Sequence, residues 1–357
     1  MKQVCIVTIC NGSNFGNRLQ NYALQEAVRI NTDSNVVTVK NFAGEVGCGI
    51  FKLDVIYKVL RNDFVSKVLL YFVKHPKIRK KIKFSQFNKR YILWSKEVVN
   101  GDLLPNHFSD NYDYFITGSD QVWNLEIPFI SSLEFLCFAP PYKKIAYAAS
   151  FGMGKFSMDK QKIIEDRLKD FTNISVRENS ALAILEKAGI FDARVLVDPT
   201  MLLTAEQWER IECEPEFKVD KEQYILVYIL EEEKIDVMER VERMASANKW
   251  EVIDIYDLSK YQYYGIGPAE FIYLIHHAAY ICTNSFHATV FSVLFHKQFS
   301  VYNREGLNTR ISTLLQMLHL ENVVGKEKMK VVDYVQVDQI IEEQKLIALN
   351  YLKERIY

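Results

Sequence analysis

Short apolar runs closed by glycine or polar residues alternate along the chain with longer stretches whose apolar positions recur at the helical period. The spacing predicts a strand over Val4 to Ile9, a turn-rich loop over Asn11 to Asn17, and a helix over Arg18 to Ile30. In that helix Leu19, Tyr22, Ala23, Ala27 and Ile30 share one face. A second strand is predicted over Val36 to Val39, after which the pattern loosens from Gly44 to about Asn100 into stretches rich in Lys and aromatics, read as a helical insertion. Short strands then resume at Tyr114 to Thr117, Ile145 to Ala149, Ile174 to Val176 and Val195 to Val197. Such runs suit a parallel sheet covered on both faces, whose ligands bind outside the carboxyl ends of the strands.

Thr204-Ala-Glu-Gln207 before Trp208 has the form of a capping box, and the charged, proline-containing stretch that follows reads as a linker. Beyond it the alternation starts again. Strands are predicted at Tyr224 to Ile229, Glu251 to Ile255, Tyr280 to Thr283 and Phe299 to Tyr302, with helices over Glu231 to Ala247, from Pro268, and over Ala288 to Phe295. The expected organisation is α/β: two Rossmann-like β/α domains facing a cleft, the arrangement of GT-B enzymes. Residues 1–211 form the first domain, with the insertion at about 44–100; residues 212–222 are the linker, 223–335 the second domain, and 336–357 a terminal helix that crosses back to the first.

Composition narrows the function classes. With 44 Lys+Arg against 45 Asp+Glu the formal net charge is -1, so no global field draws the chain to nucleic acid. Length and a hydrophobic content of 49% support a full core and argue against disorder. The first apolar run is too short for a signal-peptide core, and the greasy stretch from Phe271 to Thr283 is broken by His276 and His277, so a cytoplasmic protein is expected. Lys77, Arg79, Lys80, Lys81, Lys83, Lys89 and Arg90, within the run from Lys74 to Arg90, suit either a solvated helix face or peripheral contact with an anionic membrane surface. The six cysteines are scattered without a C-x-x-C pair and read as reduced thiols.

The loop Gly12-Ser-Asn14-Phe-Gly16-Asn17-Arg18 places backbone amides and a helix N-terminus where an anion would sit, or forms a tight turn without a ligand. It matches neither G-x-G-x-x-G nor a Walker loop. His287, at a strand-to-helix turn, suits a general acid or base, while His276 and His277 diverge by about 100° on a helix and are read as structural, with no metal expected. Arg177 ends a strand and presents a fork for carboxylate or phosphate, or pairs with a neighbouring carboxylate. Ser119 and Asp120 follow another strand, where they cap a helix or meet a sugar hydroxyl.

Taken together, Gly16-Asn-Arg-Leu-Gln-Asn-Tyr-Ala-Leu-Gln25, Thr117-Gly-Ser-Asp-Gln-Val-Trp-Asn124, Ser175-Val-Arg-Glu178, Val197-Asp-Pro-Thr200 and Thr283-Asn-Ser-Phe-His-Ala-Thr-Val-Phe-Ser292 resemble the polysaccharide pyruvyl transferases, in the same order. The resemblance runs from near Gly12 to about Leu318. It implies a GT-B-like fold, phosphoenolpyruvate as donor, a sugar of a bacterial surface glycan or its lipid-linked precursor as acceptor, and a pyruvate ketal as product, with no cofactor. In place of the arginine that many members carry two residues before the histidine stands Ser285, and residue 288 is Ala where relatives often have Gly. Arg177 matches the family's arginine after the strand; Arg18 and Arg310 are candidates by their expected position near the cleft. His287 is the expected proton-transfer residue and Asp120 the base on the acceptor hydroxyl. A GT-B glycosyltransferase using a nucleotide sugar and a non-catalytic glycan-binding protein are the competing readings.

Overall fold

The computed structural model describes residues 1–10, 12–43, 74–230, 235–302, 309–325 and 332–356. The expected insertion from Gly44 to Val73, the residue Cys48 and the start of the expected helix at Glu231 to Lys234 lie outside these residues.

The first domain is a seven-stranded parallel sheet in the order β3-β2-β1-β4-β5-β6-β7. Its strands are β1 (Gln3–Val7), β2 (Asn35–Asn41), β3 (Trp94–Val99), β4 (Tyr114–Asp120), β5 (Lys144–Ala149), β6 (Ile174–Val176) and β7 (Arg194–Val195). Strand β5 is buried along its whole length, and β4 is buried from Phe115 onward. That explains why these strands read as continuous apolar runs rather than as alternations. Helices α1 (Phe15–Thr32), α2 (Pro76–Tyr91), α3 (Met158–Leu168), α4 (Asn179–Lys187) and α5 (Ala205–Glu209) accompany the sheet.

Strand β3 corrects the expectation of a helical insertion reaching about Asn100. Its inward position is taken by Ser95, which accepts a hydrogen bond from the Lys40 amide and donates to the Glu97 carbonyl, so the strand shows no apolar alternation. Lys96 faces solvent on this edge strand, a usual protection against edge pairing.

The second domain is a four-stranded parallel sheet in the order β11-β10-β8-β9, built from β8 (Tyr224–Tyr228), β9 (Glu251–Asp254), β10 (Tyr280–Thr283) and β11 (Phe299–Val301). Its helices are α6 (Ile235–Asn248), α7 (Tyr261–Tyr264), α8 (Pro268–His276), α9 (Phe286–Leu294) and α10 (Thr309–Met317). The last helix, α11 (Tyr334–Ile356), packs on α1, and Tyr351 Oη donates to the Ala146 carbonyl of β5 at 3.1 Å.

One apolar cluster runs through both sheets. Phe15 at the start of α1 is fully buried and stacks on Phe271 of α8, with ring centroids 4.5 Å apart and planes at 6°, while Trp208 meets Phe291 of α9 edge-on at 4.9 Å. Each such ring contributes roughly 2–3 kcal/mol by burial, so the two domains are held face to face by a shared core. The basic helix α2 takes part in this contact. Arg79 and Lys83 pair with Glu216 of the linker, Lys83 also pairs with Glu270 of α8, and Lys80 is buried, leaving Lys74, Lys77, Lys81, Lys89 and Arg90 exposed.

In both sheets the chain reverses its direction of winding next to the first strand. The crevice at such a reversal opens between the carboxyl ends of β1 and β4 in one sheet, and of β8 and β10 in the other. Gly16 in the first turn of α1, Asp120 at the end of β4 and His287 in the first turn of α9 lie at the carboxyl ends of β1, β4 and β10.

Candidate active site

The first turns of α1 and α9 touch across the cleft. A Cβ added at Gly16 would overlap the imidazole of His287. Asn14 caps α1 by accepting from the Asn17 amide at 3.3 Å, and Ser285 caps α9 by accepting from the Ala288 amide at 3.5 Å. Ser285 thus fixes the turn that carries His287; its side chain is spent on the cap that a Ser supplies and an arginine would not. Gly12 is exposed, with φ 74, in a loop position that a residue with a Cβ rarely takes.

Behind His287 lies a buried charge cluster. Arg177 donates from Nη1 to Asp198 Oδ2 at 2.6 Å and from Nη2 to Asp120 Oδ1 at 2.8 Å, and its guanidinium sits 4.5 Å from the centre of the Phe286 ring. His287 Nε2 stands 3.6 Å from Asp198 Oδ2. Arg310 Nη1, from the first turn of α10, stands 3.6 Å from Asp120 Oδ1. Asp198 is anchored on its other oxygen by the amide and hydroxyl of Thr200 at 3.0 and 2.7 Å. Ser119 Oγ lies 2.7 Å from the Ala148 carbonyl and 3.1 Å from Asp198 Oδ2. Gln20 joins the strand ends, accepting from the Ser119 amide at 3.0 Å and donating to Thr8 Oγ1 at 2.8 Å.

The electrostatics divide the carboxylates. Burial alone would raise Asp198, but His287, Arg177 and the Thr200 amide outweigh it and hold the carboxyl well below the usual range. At Asp120 burial is likewise overcome, by Arg177, His287 and Arg310. Glu178 behaves oppositely: burial outweighs Arg177 and Arg310, and its carboxyl is raised. Its Oε1 accepts from Ser150 Oγ and the Phe151 amide, while Oε2 is buried without a partner. Burial and the neighbouring Arg177 lower the Arg310 guanidinium.

These contacts revise several expected roles. Both terminal nitrogens of Arg177 are committed to aspartates, so it braces the cluster rather than offering a free fork. Asp120, held ionised between two arginines, is a weak base toward a sugar hydroxyl. Ser119 is fully buried and positions Asp198. Arg18 turns to the Cys10 carbonyl at 2.7 Å and lies 5.6 Å from the Trp94 ring centre, away from the cluster. Arg177 and Arg310 both keep a buried Nε without a hydrogen-bond partner, and Arg310 stands 3.6 Å from Asp120 rather than in the closer contacts Arg177 makes. His276 and His277 do not diverge as expected. His277 has left the helix as its C-cap, with φ -101 and ψ 8, and the two rings stack at 4.3 Å.

The first turns of α1 and α9 meet at Gly16 and His287, the first turn of α10 brings Arg310 to 3.6 Å from Asp120, and α4 begins with Asn179 two residues after Arg177. Asn179 at the start of α4 is tied to α10 through Thr313 Oγ1 at 3.1 Å. The N-terminus of a helix carries positive potential that favours an anion. Asp198, Glu178 and Gln20 were not singled out from sequence, although each lies in a quoted motif; the position of Asp198 after a strand was the available signal.

Several solved structures align with most of the chain at low identity. The UDP-GlcNAc 2-epimerase from Neisseria meningitidis bound to UDP-GlcNAc aligns at 12% identity and a TM-score of 0.47, over 100% of this chain and 94% of that one. The epimerase from Methanocaldococcus jannaschii aligns at 10% identity and 0.46, over 96% and 92%. An Anabaena protein in complex with UDP and glucose aligns at 9% identity and 0.43, over 100% and 98%. No curated protein matches the sequence significantly. The model of the family described as polysaccharide pyruvyl transferase matches residues 14–306, the span from the first-domain loop carrying Gly16 through the α9 turn carrying His287, and the chain belongs to that family.

Proposed function

We propose that the protein transfers the enolpyruvyl group of phosphoenolpyruvate to a sugar of a surface polysaccharide, or of its lipid-linked precursor, closing a pyruvate ketal and releasing phosphate. The observation that carries this reading is the meeting of the α1 and α9 first turns at Gly16 and His287 beside Asp198, with Arg310 on the same cluster through Asp120. A donor with a carboxylate and a phosphate on adjacent atoms needs converging N–H donors and a fork of fixed geometry, not an apolar pocket.

In this reading Arg310 and the first-turn amides hold the donor, and His287 delivers a proton to its methylene carbon. The resulting cationic carbon takes one sugar hydroxyl, whose proton returns to the now neutral His287. Phosphate then leaves with its bridging oxygen, and a second hydroxyl of the same sugar adds and gives its proton to the departing phosphate, closing the ketal. Asp198, beside Nε2, steadies the charged imidazole, and Arg177 holds Asp198 and Asp120 in place. The route uses protein groups alone. The exposed Lys74, Lys77, Lys81, Lys89 and Arg90 suit peripheral contact with an anionic membrane bearing a lipid-linked acceptor.

Calorimetric titration with phosphoenolpyruvate, run beside UDP-, GDP- and CMP-sugars, tests the donor. Arg310→Ala is the informative variant, because removing Arg177 would strand two buried aspartates. Phosphoenolpyruvate binding weakened at least tenfold in Arg310→Ala supports the reading; binding of a nucleotide sugar in its place removes it. His287→Ala is expected to lower phosphate release by about 10²–10⁴-fold with donor affinity nearly unchanged.

A further inference from the structure

Where the linker leaves the first domain, the structure gathers Glu212, His276 and His277. His276 Nδ1 stands 2.9 Å from Glu212 Oε2, and His277 Nε2 stands 3.1 Å from Glu212 Oε1. All three ligand atoms lie within 4.8 Å of one another. On its far side, His276 Nε2 faces Glu209 Oε1 at 3.8 Å. The groups are only partly buried, and His276 and Glu209 border a hollow of about 530 Å³ also lined by Glu206, His296, Asp338 and Glu342.

The cluster sets two carboxylates against three ring nitrogens. A neutral imidazole carries one N–H, yet both nitrogens of His276 face carboxylates. An ion of charge +2 at the centre accepts the inner nitrogens of both rings, balances Glu209 and Glu212, and leaves the outer N–H of His276 pointing at Glu209. An outer carboxylate on a coordinating histidine is the usual way such a ring is oriented.

We propose that Glu212, His276 and His277 bind a divalent transition-metal ion of the zinc class, which fastens the interdomain linker to the end of α8. The donor set of two imidazoles and a carboxylate suits such an ion rather than magnesium or calcium. Bonds of about 2.0–2.1 Å in a tetrahedral site separate neighbouring ligand atoms by about 3.4 Å, so the nitrogen–oxygen pairs, made to different oxygens of Glu212, open slightly while the ligand atoms, now within 4.8 Å of one another, draw in to that spacing. A water entering from the hollow completes the fourth position. The ion ties down a segment already pinned by two backbone bonds, from the Cys213 amide to the Ala269 carbonyl and from the Glu222 amide to the His277 carbonyl.

The test uses the full chain, stripped with a chelator that is then removed, and titrated with zinc in competition with a chromogenic chelator. One equivalent should bind, cobalt should give visible absorption at the same stoichiometry, and zinc should raise the melting temperature. His276→Ala and His277→Ala should each weaken binding at least 100-fold, and Glu209→Gln about tenfold. His296→Ala, on the same hollow but paired with Asp338, should leave it unchanged. Glu212→Gln retains the side-chain shape and should still lose zinc affinity, which guards against misfolding of the alanine variants. Absence of a stoichiometric site in the wild type, or zinc binding unaltered in folded His276 and His277 variants, would overturn the proposal.

Discussion

The backbone of Gly16 lies against the imidazole of His287 so closely that a methyl group on its Cα would overlap Nδ1, Cγ and Cε1. The two residues come from different domains, and their contact sets where the ring sits above Asp198. Gly16→Ala is expected to displace the ring and to cost stability, because the added Cβ meets Cγ at the root of a buried imidazole, a clash that the better helix propensity of Ala offsets only in part. Displacing a reacting group by about an ångström lowers turnover by about 10²-fold. Phosphate release and a melting curve on the same preparation check this; activity within threefold of wild type would show that the ring is seated by other contacts.

Asp198 and Glu178 are both buried carboxylates, but their shifts have opposite signs. Because Asp198 is depressed in the folded state, its stabilising contribution is complete above its unfolded pKa of about 3.9 and is lost as pH falls further. Asp198→Asn should cost about 3–5 kcal/mol at pH 7, since it leaves Arg177 short of a partner in a dry site, and should flatten the acid limb of stability. Glu178 is raised, so its ionisation opposes folding as pH rises above about 4.3. Glu178→Gln should therefore cost far less than Asp198→Asn at pH 7, by denaturant titration at pH 3 to 8.

Phe15 stacks on Phe271 and meets Tyr228 edge-on, so one side chain of the first domain is embedded in the second. Phe15→Ala should destabilise by about 3–5 kcal/mol. If the two domains unfold as one unit in the wild type, calorimetry of the variant should show that single transition broadened or split, because the deleted ring belongs to the core they share.

Lys80 is buried with Nζ 4.1 Å from the Phe15 ring centre and 4.8 Å from that of Tyr264. Burial lowers its pKa to about 8, and the ring faces offset part of that penalty. Between pH 8 and about 10.4 the unfolded chain holds the proton more tightly, so stability should rise with pH over that window. Lys80→Met should remove the rise and raise stability at pH 7 by about 1–2 kcal/mol; unfolding titrations at pH 7, 8 and 10 measure it.

Much of the fold was legible because each buried parallel strand is a continuous apolar run ending in polar or glycine residues. Ile174–Val176 and Tyr280–Thr283 were placed to the residue on that pattern. The capping box at Thr204 was also readable, since both its bonds lie within one turn. Strand β3 was not, because inward Ser95 makes hydrogen bonds where the pattern expects an apolar side chain. Helix α10 was missed as well, although it brings Arg310 to Asp120.

The sequence by itself determined the residue types of the centre, namely arginine, aspartate and histidine at the ends of strands, and with them the family. Only the tertiary structure decided how they are used. It spent the terminal nitrogens of Arg177 on Asp120 and Asp198, turned Arg18 toward Cys10, and left Arg310 at 3.6 Å from Asp120. The physical reason is that propensity and periodicity act over a few neighbouring residues. Whether a charge faces a ligand or a counter-charge depends instead on partners such as Arg177 and Asp120, which lie 57 residues apart and meet only when the sheet is assembled.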